Sequence, residues 1–480
     1  MRRMKLVTLG GLLVAGILLI AVGVWLGQYR SVAPARKAVR QRLTSGPNVV
    51  LIIIDALRAD RVGGKRNGQP LMTFLEEFSK GSAVFEHAVT ACTWTRPSIA
   101  SLLTSLHVNT HQVFSDGKTS LDGTNMADTL SPGLETMAEY LYEQGYQTAG
   151  VQTNGNLAPV FKYDQGFEKY LYLPDSTTRE VTDATLGLLN NLTSPFFLYV
   201  HYLDPHLPYN PPEEYRRQFG WPPAISPEEL KTVTTDFMAY VVNYMKCVSG
   251  AETGTYTPLS DAAKETACLL YDAEVRYVDD ALRRLVPELQ RRWPDTYIII
   301  SADHGEHLWD HDSYGHGLSM YEEVLHVPMI VSGPGISPCN IPRNVSLVDI
   351  LPTVAAWLKL PVRPFWQGKD MFAPPPKEPR PFFSYTEGPN PGWKTKREMV
   401  LVGNDKLIVD RMKDMVELYD VAKDPQNLHD LSGERPEQVK AFRALLDEHQ
   451  KENMRARQTV RTKAVMDAET EERLHGIGYK

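Results

Sequence analysis

Residues 48–54, Asn-Val-Val-Leu-Ile-Ile-Ile, carry no charge and no polar alternation, and the run stops at Asp55. A strand with one face in water alternates polar and apolar residues. One without alternation must be covered on both faces, the condition of a mostly parallel sheet flanked by helices. Residues 297–301 repeat the pattern and run into Asp303-His304-Gly305-Glu306. Residues 134–144 read as a helix, 147–152 and 196–202 as strands, and 265–289 as a long amphipathic helix with Leu269, Ala273, Tyr277, Ala281 and Leu285 near one face. This alternation makes the class α/β. The proline-rich stretch 374–379 marks a boundary. Beyond it, residues 399–402 and 406–409 read as a hairpin and 436–453 as a helix, giving a smaller C-terminal α+β subdomain.

The chain begins differently. Residues 6–27 contain no charge, and 22 residues extend about 33 Å as a helix, enough to cross a hydrocarbon core. We therefore expect one N-terminal transmembrane helix over residues 1–30, a basic linker over 31–46, a catalytic domain over 47–375 and a C-terminal subdomain over 376–480. Cleavage after Gly23 is the alternative reading of the apolar run. Residues 1–42 hold eight Lys or Arg and no acid, so the rest of the chain carries 43 bases against 58 acids, a balance of −15. An acidic body argues against nucleic acid as a partner. The bases flanking the apolar run would by count hold the body in the cytoplasm, but long domains cross membranes largely regardless of flanking charge. Cys92, Cys247, Cys268 and Cys339 show no spacing of a metal or redox motif.

Asp55 and Asp303 each follow a buried strand, and parallel strands bring such ends to one edge of the sheet, where open α/β folds bind ligands. Converging carboxylates need a cation or a proton between them. With His304 adjacent, the donor set is oxygen-rich with one imidazole and suits one divalent ion: zinc, manganese, magnesium or calcium. Thr95 precedes Arg96-Pro97-Ser98 and an apolar run, so it stands at a helix start. There it is either an ordinary N-cap or a hydroxyl whose developing negative charge the helix terminus stabilises. Among the histidines of residues 304–316, His307 and His311 read as solvated. Gly315 and Gly317 give His316 the backbone freedom to approach a ligand, and prolines on both sides of His206 stiffen its loop.

Taken in order, these segments resemble the sulfatase family of the alkaline phosphatase superfamily over nearly all of residues 47–480. The resemblance rests on N-V-V-L-I-I-I-D-A-L-R-A-D (48–60), the Thr95 helix start, H-Y-L-D-P-H-L-P-Y (201–209), Y-D-A-E-V-R-Y-V-D-D (271–280), S-A-D-H-G-E (301–306) and G-H-G with Y-E-E-V-L-H-V-P (315–328). E-L-Y-D (417–420) and the terminal Gly478-Tyr479 are similar to the family's C-terminal subdomain. The resemblance implies an alkaline-phosphatase-like sheet. It implies Asp55, Thr95, Asp303 and His304 as metal ligands, and Thr95 as nucleophile. His206 and His316 would contact substrate oxygens or protonate the leaving group, and Arg58 and Asn154 would bind substrate.

The departures point to the reaction. Sulfatases place an oxidisable cysteine or serine where this chain has Thr95, and threonine cannot give an aldehyde. The family's closing arginine is Ile99 here, and Ala56 replaces the second acid of an Asp-Asp pair. Threonine at this place resembles the phosphodiesterases, phosphonate hydrolases and phosphoryl-group transferases of the superfamily. The expectation is a membrane-bound, extracytoplasmic enzyme acting on phosphoric esters of a small molecule, lipid or glycan. The alternatives are a sulfuric ester hydrolase working without formylglycine and an inactive binding module.

Overall fold

A computed structural model describes residues 42–114, 118–119, 125–249, 256–388, 395–457 and 461–477. The apolar run 6–27, most of the basic linker and Gly478-Tyr479 lie outside them. Among the described residues no helix is long and apolar enough to cross a membrane.

The centre is an eight-stranded sheet built from β1 (Asn48–Ile54), β2 (Ala83–Val89), β3 (Gln147–Gln152), β4 (Lys169–Tyr172), β5 (Phe196–Tyr202), β6 (Thr296–Ser301), β7 (His326–Ser332) and β8 (Cys339–Ser346). The strand order is β8-β2-β7-β6-β1-β5-β3-β4. β7 runs antiparallel to both of its neighbours, and the other pairs are parallel. The apolar sequence of β1 finds the environment it demands: all seven residues are buried, with other layers on both faces. Each large aliphatic side chain removed from water there contributes about 1.5–3 kcal/mol. Register fixes what happens at the edge. Ile53 pairs with Ser301 of β6 on one side and with His201 of β5 on the other. Asp55, Asp303 and His201 are therefore delivered to the same end of adjacent strands.

Helix starts follow local chemistry more than hydrophobic period. The helix expected over 134–144 runs over Met137–Glu143, because Thr136 and Glu139 form a reciprocal capping box at its start. The helix expected over 265–289 is longer, Asp261–Arg292, and begins where the Ser260 hydroxyl accepts from the Ala263 amide. We call the helices Thr95–Thr104, Met137–Glu143, Thr178–Leu189, Asp261–Arg292 and Pro436–Ala456 α1 to α5.

The C-terminal layer is a four-stranded antiparallel sheet of β9 (Pro381–Thr386), β10 (Arg397–Val402), β11 (Asp405–Asp410) and β12 (Met415–Asp420). The β10–β11 hairpin closes with Val402 opposite Asp405. One face takes Phe442 and Leu446 of α5 against Val400, Leu407, Val409 and Leu418. Met399, Leu401 and Ile408 pack with Val89, Met320 and Leu325 of the main body. None of the four cysteines is disulfide-bonded.

Candidate active site

Two strand ends and one helix start converge at the sheet edge. Asp55, Asp303, His304 and Thr95 are all fully buried. Asp55 Oδ2 accepts from His201 Nε2 at 3.0 Å and from Asn154 Nδ2 at 2.5 Å. Asp303 Oδ1 accepts from the amides of Ala56 at 3.3 Å and His304 at 3.0 Å. Each carboxylate thus has one oxygen held by the protein. The other two, Asp55 Oδ1 and Asp303 Oδ2, have no hydrogen-bond partner, and each lies 3.5 Å from His304 Nε2. The His304 tautomer follows from its other nitrogen, which donates to the Gly305 carbonyl at 2.8 Å, so Nε2 carries a lone pair.

Two bare carboxylate oxygens and an imidazole lone pair, buried together, repel one another unless a cation takes all three. The ligand atoms of Asp55, Asp303 and His304 lie within 4.8 Å of one another, and the donor set fits a divalent ion such as zinc, manganese, magnesium or calcium. The electrostatics carry the same signature. Burial tends to raise the Asp55 carboxyl, but His206, His201 and His304 together hold it below the usual carboxylate range. Burial and then the charge of Asp55 push Asp303 well above it.

Thr95 is the first residue of α1, and the N-cap position belongs to Trp94. The N-cap alternative for Thr95 is therefore set aside. Its Oγ1 lies 3.4 Å from His304 Nε2, at the positive end of the helix. Ser98, one turn on, donates from Oγ to the Asp303 carbonyl at 2.7 Å and ties α1 to the metal-ligand loop. Cys92 is buried outside this cluster, and burial pushes its thiol up to about 12.

Two further imidazoles, His206 and His316, pack beside His304. The His316 ring centroid is 4.3 Å from that of His304 and 4.8 Å from that of His206. Gly315 and Gly317 both adopt positive φ, 82° and 86°, as expected for the loop that carries His316 inward. His206 Nδ1 donates to the Leu207 carbonyl at 2.6 Å, and His316 Nδ1 meets Glu306 Oε1 at 2.8 Å. Burial lowers both histidines, His316 to about 4, and lifts Glu306 to about 8. A buried carboxyl that holds its proton to that pH can orient His316 and share a proton with it.

Two expected substrate contacts have protein partners in the structure. Asn154 donates to Asp55, and its Oδ1 accepts from the Asn156 amide at 2.7 Å, so it orients a ligand carboxylate. Arg58 spends its guanidinium on Asp60, Asp310 and the Glu306 carbonyl. With 6% exposure it braces the Asp303–Asp310 loop against β1. His307 and His311 are not solvated either. His307 is 1% exposed and bonded to Ser319 Oγ, and His311 stacks on Tyr321 with centroids 3.9 Å apart.

Sequence reasoning missed the Tyr199–His201 pair. His201 Nδ1 lies 2.8 Å from Tyr199 Oη while Nε2 serves Asp55. An imidazole near the end of the otherwise apolar run 196–202 was the available signal.

The profile described as "Sulfatase" matches residues 47–360. Arylsulfatase K of Gallus gallus is 25% identical over 458 residues, covering 84% of this chain and 82% of its own. The solved structure of BT4656, described in complex with its substrate D-glucosamine-2-N,6-O-disulfate, superposes with a TM-score of 0.68 at 18% identity and covers 85% of this chain and 98% of its own. The phosphonate monoester hydrolase of Silicibacter pomeroyi gives 0.66 at 18% identity, covering 85% and 96%. Both fold relatives share the alkaline-phosphatase-like arrangement.

Proposed function

The chain belongs to the sulfatase family, and from that premise we propose that it is a divalent-metal-dependent hydrolase or transferase of phosphoric esters, phosphodiesters or phosphonates, with Thr95 as nucleophile. The observation that carries this reading is the Thr95 hydroxyl, buried 3.4 Å from His304 Nε2 at the start of α1. A family site built for sulfate esters needs an aldehyde hydrate there, which expels its product by collapsing to the aldehyde. A threonine ester has no such exit and must be attacked by water or an alcohol, a route that suits phosphoryl groups.

Asp55, Asp303 and His304 would hold the ion, with Thr95 beside them. A bound divalent cation supplies Lewis acidity: it lowers the hydroxyl's pKa and neutralises the attacked ester. The chain's own groups do the rest. Thr95 Oγ1, ionised to the alkoxide with its proton lost to solvent, forms the new bond to phosphorus as the bond to the leaving oxygen breaks. His316 gives that oxygen a proton while Glu306 keeps it oriented, and His206 lines the site beside it with its own Nδ1 proton held by the Leu207 carbonyl. The start of α1 favours the anionic ester. Water or an acceptor alcohol then attacks phosphorus, releases Thr95 and returns the proton.

We place this body on the extracytoplasmic side of a membrane, anchored by residues 6–27, acting on a small-molecule, lipid or glycan ester. The test of the reaction class is a pair of matched aryl substrates, a phosphodiester and a sulfate ester, given to protein made without a formylglycine-generating enzyme. Preferential turnover of the phosphodiester is expected. Preferential turnover of the sulfate ester would favour the sulfuric ester reading that arylsulfatase K suggests, and no turnover of either would favour an inactive module.

A further inference from the structure

A second convergence of imidazoles and a carboxylate lies behind the active site. His87 of β2, Glu322 and His326, the first residue of β7, have donor atoms within 4.8 Å of one another. The strands bring them together, since β2 lies between β7 and β8, with His326 opposite Val89 and His87 opposite Asn344. His87 Nε2 is 2.7 Å from Glu322 Oε2, and the rings of His87 and His326 are 4.6 Å apart.

The tautomer of His87 can be worked out. Asn344 Nδ2 donates to the Gly403 carbonyl at 2.6 Å, which fixes the orientation of its amide. Its Oδ1 therefore faces His87 Nδ1 at 3.0 Å and accepts from it. In neutral His87 the proton is on Nδ1, and Nε2 points a lone pair at a carboxylate oxygen 2.7 Å away. Two acceptors at that distance repel, so positive charge must sit between or on them. It is either a second proton on His87 or a metal ion. His326 favours the ion. Its ring packs against His87 and completes a three-donor set with a nitrogen within 4.8 Å of the other two donor atoms. Lys406 Nζ, 2.6 Å from Glu322 Oε1, keeps the carboxylate ionised and leaves Oε2 turned toward His87.

We propose that His87, Glu322 and His326 bind a second divalent ion of the zinc type. Two imidazoles and one carboxylate are a borderline-soft set that favours zinc over calcium or magnesium. Partial exposure, 18% for the His87 side chain and 11% for Glu322, gives the ion a way in. Its role is structural. The turn containing Glu322 also backs the catalytic loop, because the Val324 and Glu323 carbonyls accept from the Gly305 and Glu306 amides, each at 3.0 Å. Lys406 and Gly403 come from the C-terminal sheet and its hairpin turn. The ion would pin β2, β7 and this turn together, with the hairpin tied to Glu322 through Lys406, next to the Gly305-Glu306 backbone that follows His304.

The test is zinc stoichiometry by elemental analysis after chelation, zinc reloading and desalting of the full chain. His326→Ala is expected to lose one zinc per chain relative to the unsubstituted protein. Asp303→Asn, in the other cluster, should still respond to zinc with a rise in melting temperature, and the double variant should not. His87→Gln serves as an independent second variant should His326→Ala fold poorly. Unchanged zinc content in folded His326→Ala or His87→Gln would overturn the proposal. So would a zinc-dependent melting shift that persists in the double variant. Either result would leave His87 as an imidazolium paired with Glu322.

Discussion

Replacing His201 by phenylalanine isolates how the site holds its ligands. Phenylalanine keeps the ring volume in a fully buried position and removes two contacts: the donor 3.0 Å from Asp55 Oδ2 and the partner 2.8 Å from Tyr199 Oη. Asn154 still holds the same Asp55 oxygen, so the carboxylate should loosen without leaving. Removing a group that orients a metal ligand typically costs about 10–100-fold in metal affinity, which is about 1.4–2.8 kcal/mol. The stranded Tyr199 hydroxyl adds roughly 1–3 kcal/mol of lost folding stability. Tyr199→Phe removes only the outer bond and should cost less on both counts. Metal titration of the chelated protein reads the first quantity and urea unfolding of the metal-free protein the second. Unchanged metal affinity in a folded His201→Phe protein would refute the orienting role. A loss as large as that of Asp303→Asn would mean that His201 is itself a ligand.

Three further outcomes follow from the same geometry. Asp303→Asn and His304→Ala should lower metal content and turnover together, whereas His307→Ala should keep its catalytic metal and pay only in stability, since His307 is buried on Ser319; elemental analysis with turnover assays distinguishes them. His316→Gln should slow esters with poor leaving groups by roughly 100-fold or more while sparing activated aryl esters, as expected for a lost proton donor, read as a change in the dependence of kcat on leaving-group pKa. Burial and the charge of Asp204 raise Glu274 well above its ordinary value. As pH rises through the ordinary carboxylate value, the unfolded chain releases this proton and the folded chain retains it, so stability falls. Glu274→Gln removes that penalty and should raise the melting temperature more at pH 8 than at pH 5; an equal shift at both would contradict the assignment.

The fold was legible where a residue's environment is dictated by its own run of sequence. β1 could not be half-exposed with six successive large aliphatic residues, and once it was central, the ends of β1 and β6 had to share an edge. The strand over 196–202 carries enough aromatic and β-branched residues to be read to the residue. Helix ends were not, because the hydrophobic period says nothing of Thr136 bonding to Glu139 or of the Ser260 hydroxyl reaching Ala263. At the site, residues marked by position could be found: Asp55 and Asp303 after strands, Thr95 before a helix, His316 between glycines. Residues marked only by partners could not. Arg58 looked free to meet an anion until Asp310, 252 residues away, was seen to occupy it. His307 looked solvated because a loop with acids and glycines usually is. Asn154 and His201 act through Asp55, a relation that exists only once β1, β5 and the loop after β3 are side by side.

In the proposed reaction Thr95 carries the covalent intermediate. Its most direct test is peptide mass spectrometry of enzyme quenched during turnover of a slow aryl phosphonate ester. A phosphonyl adduct is expected on the peptide containing Thr95, absent from Thr95→Ala, which folds but does not turn over. No adduct on that peptide, or undiminished turnover by Thr95→Ala, would contradict it.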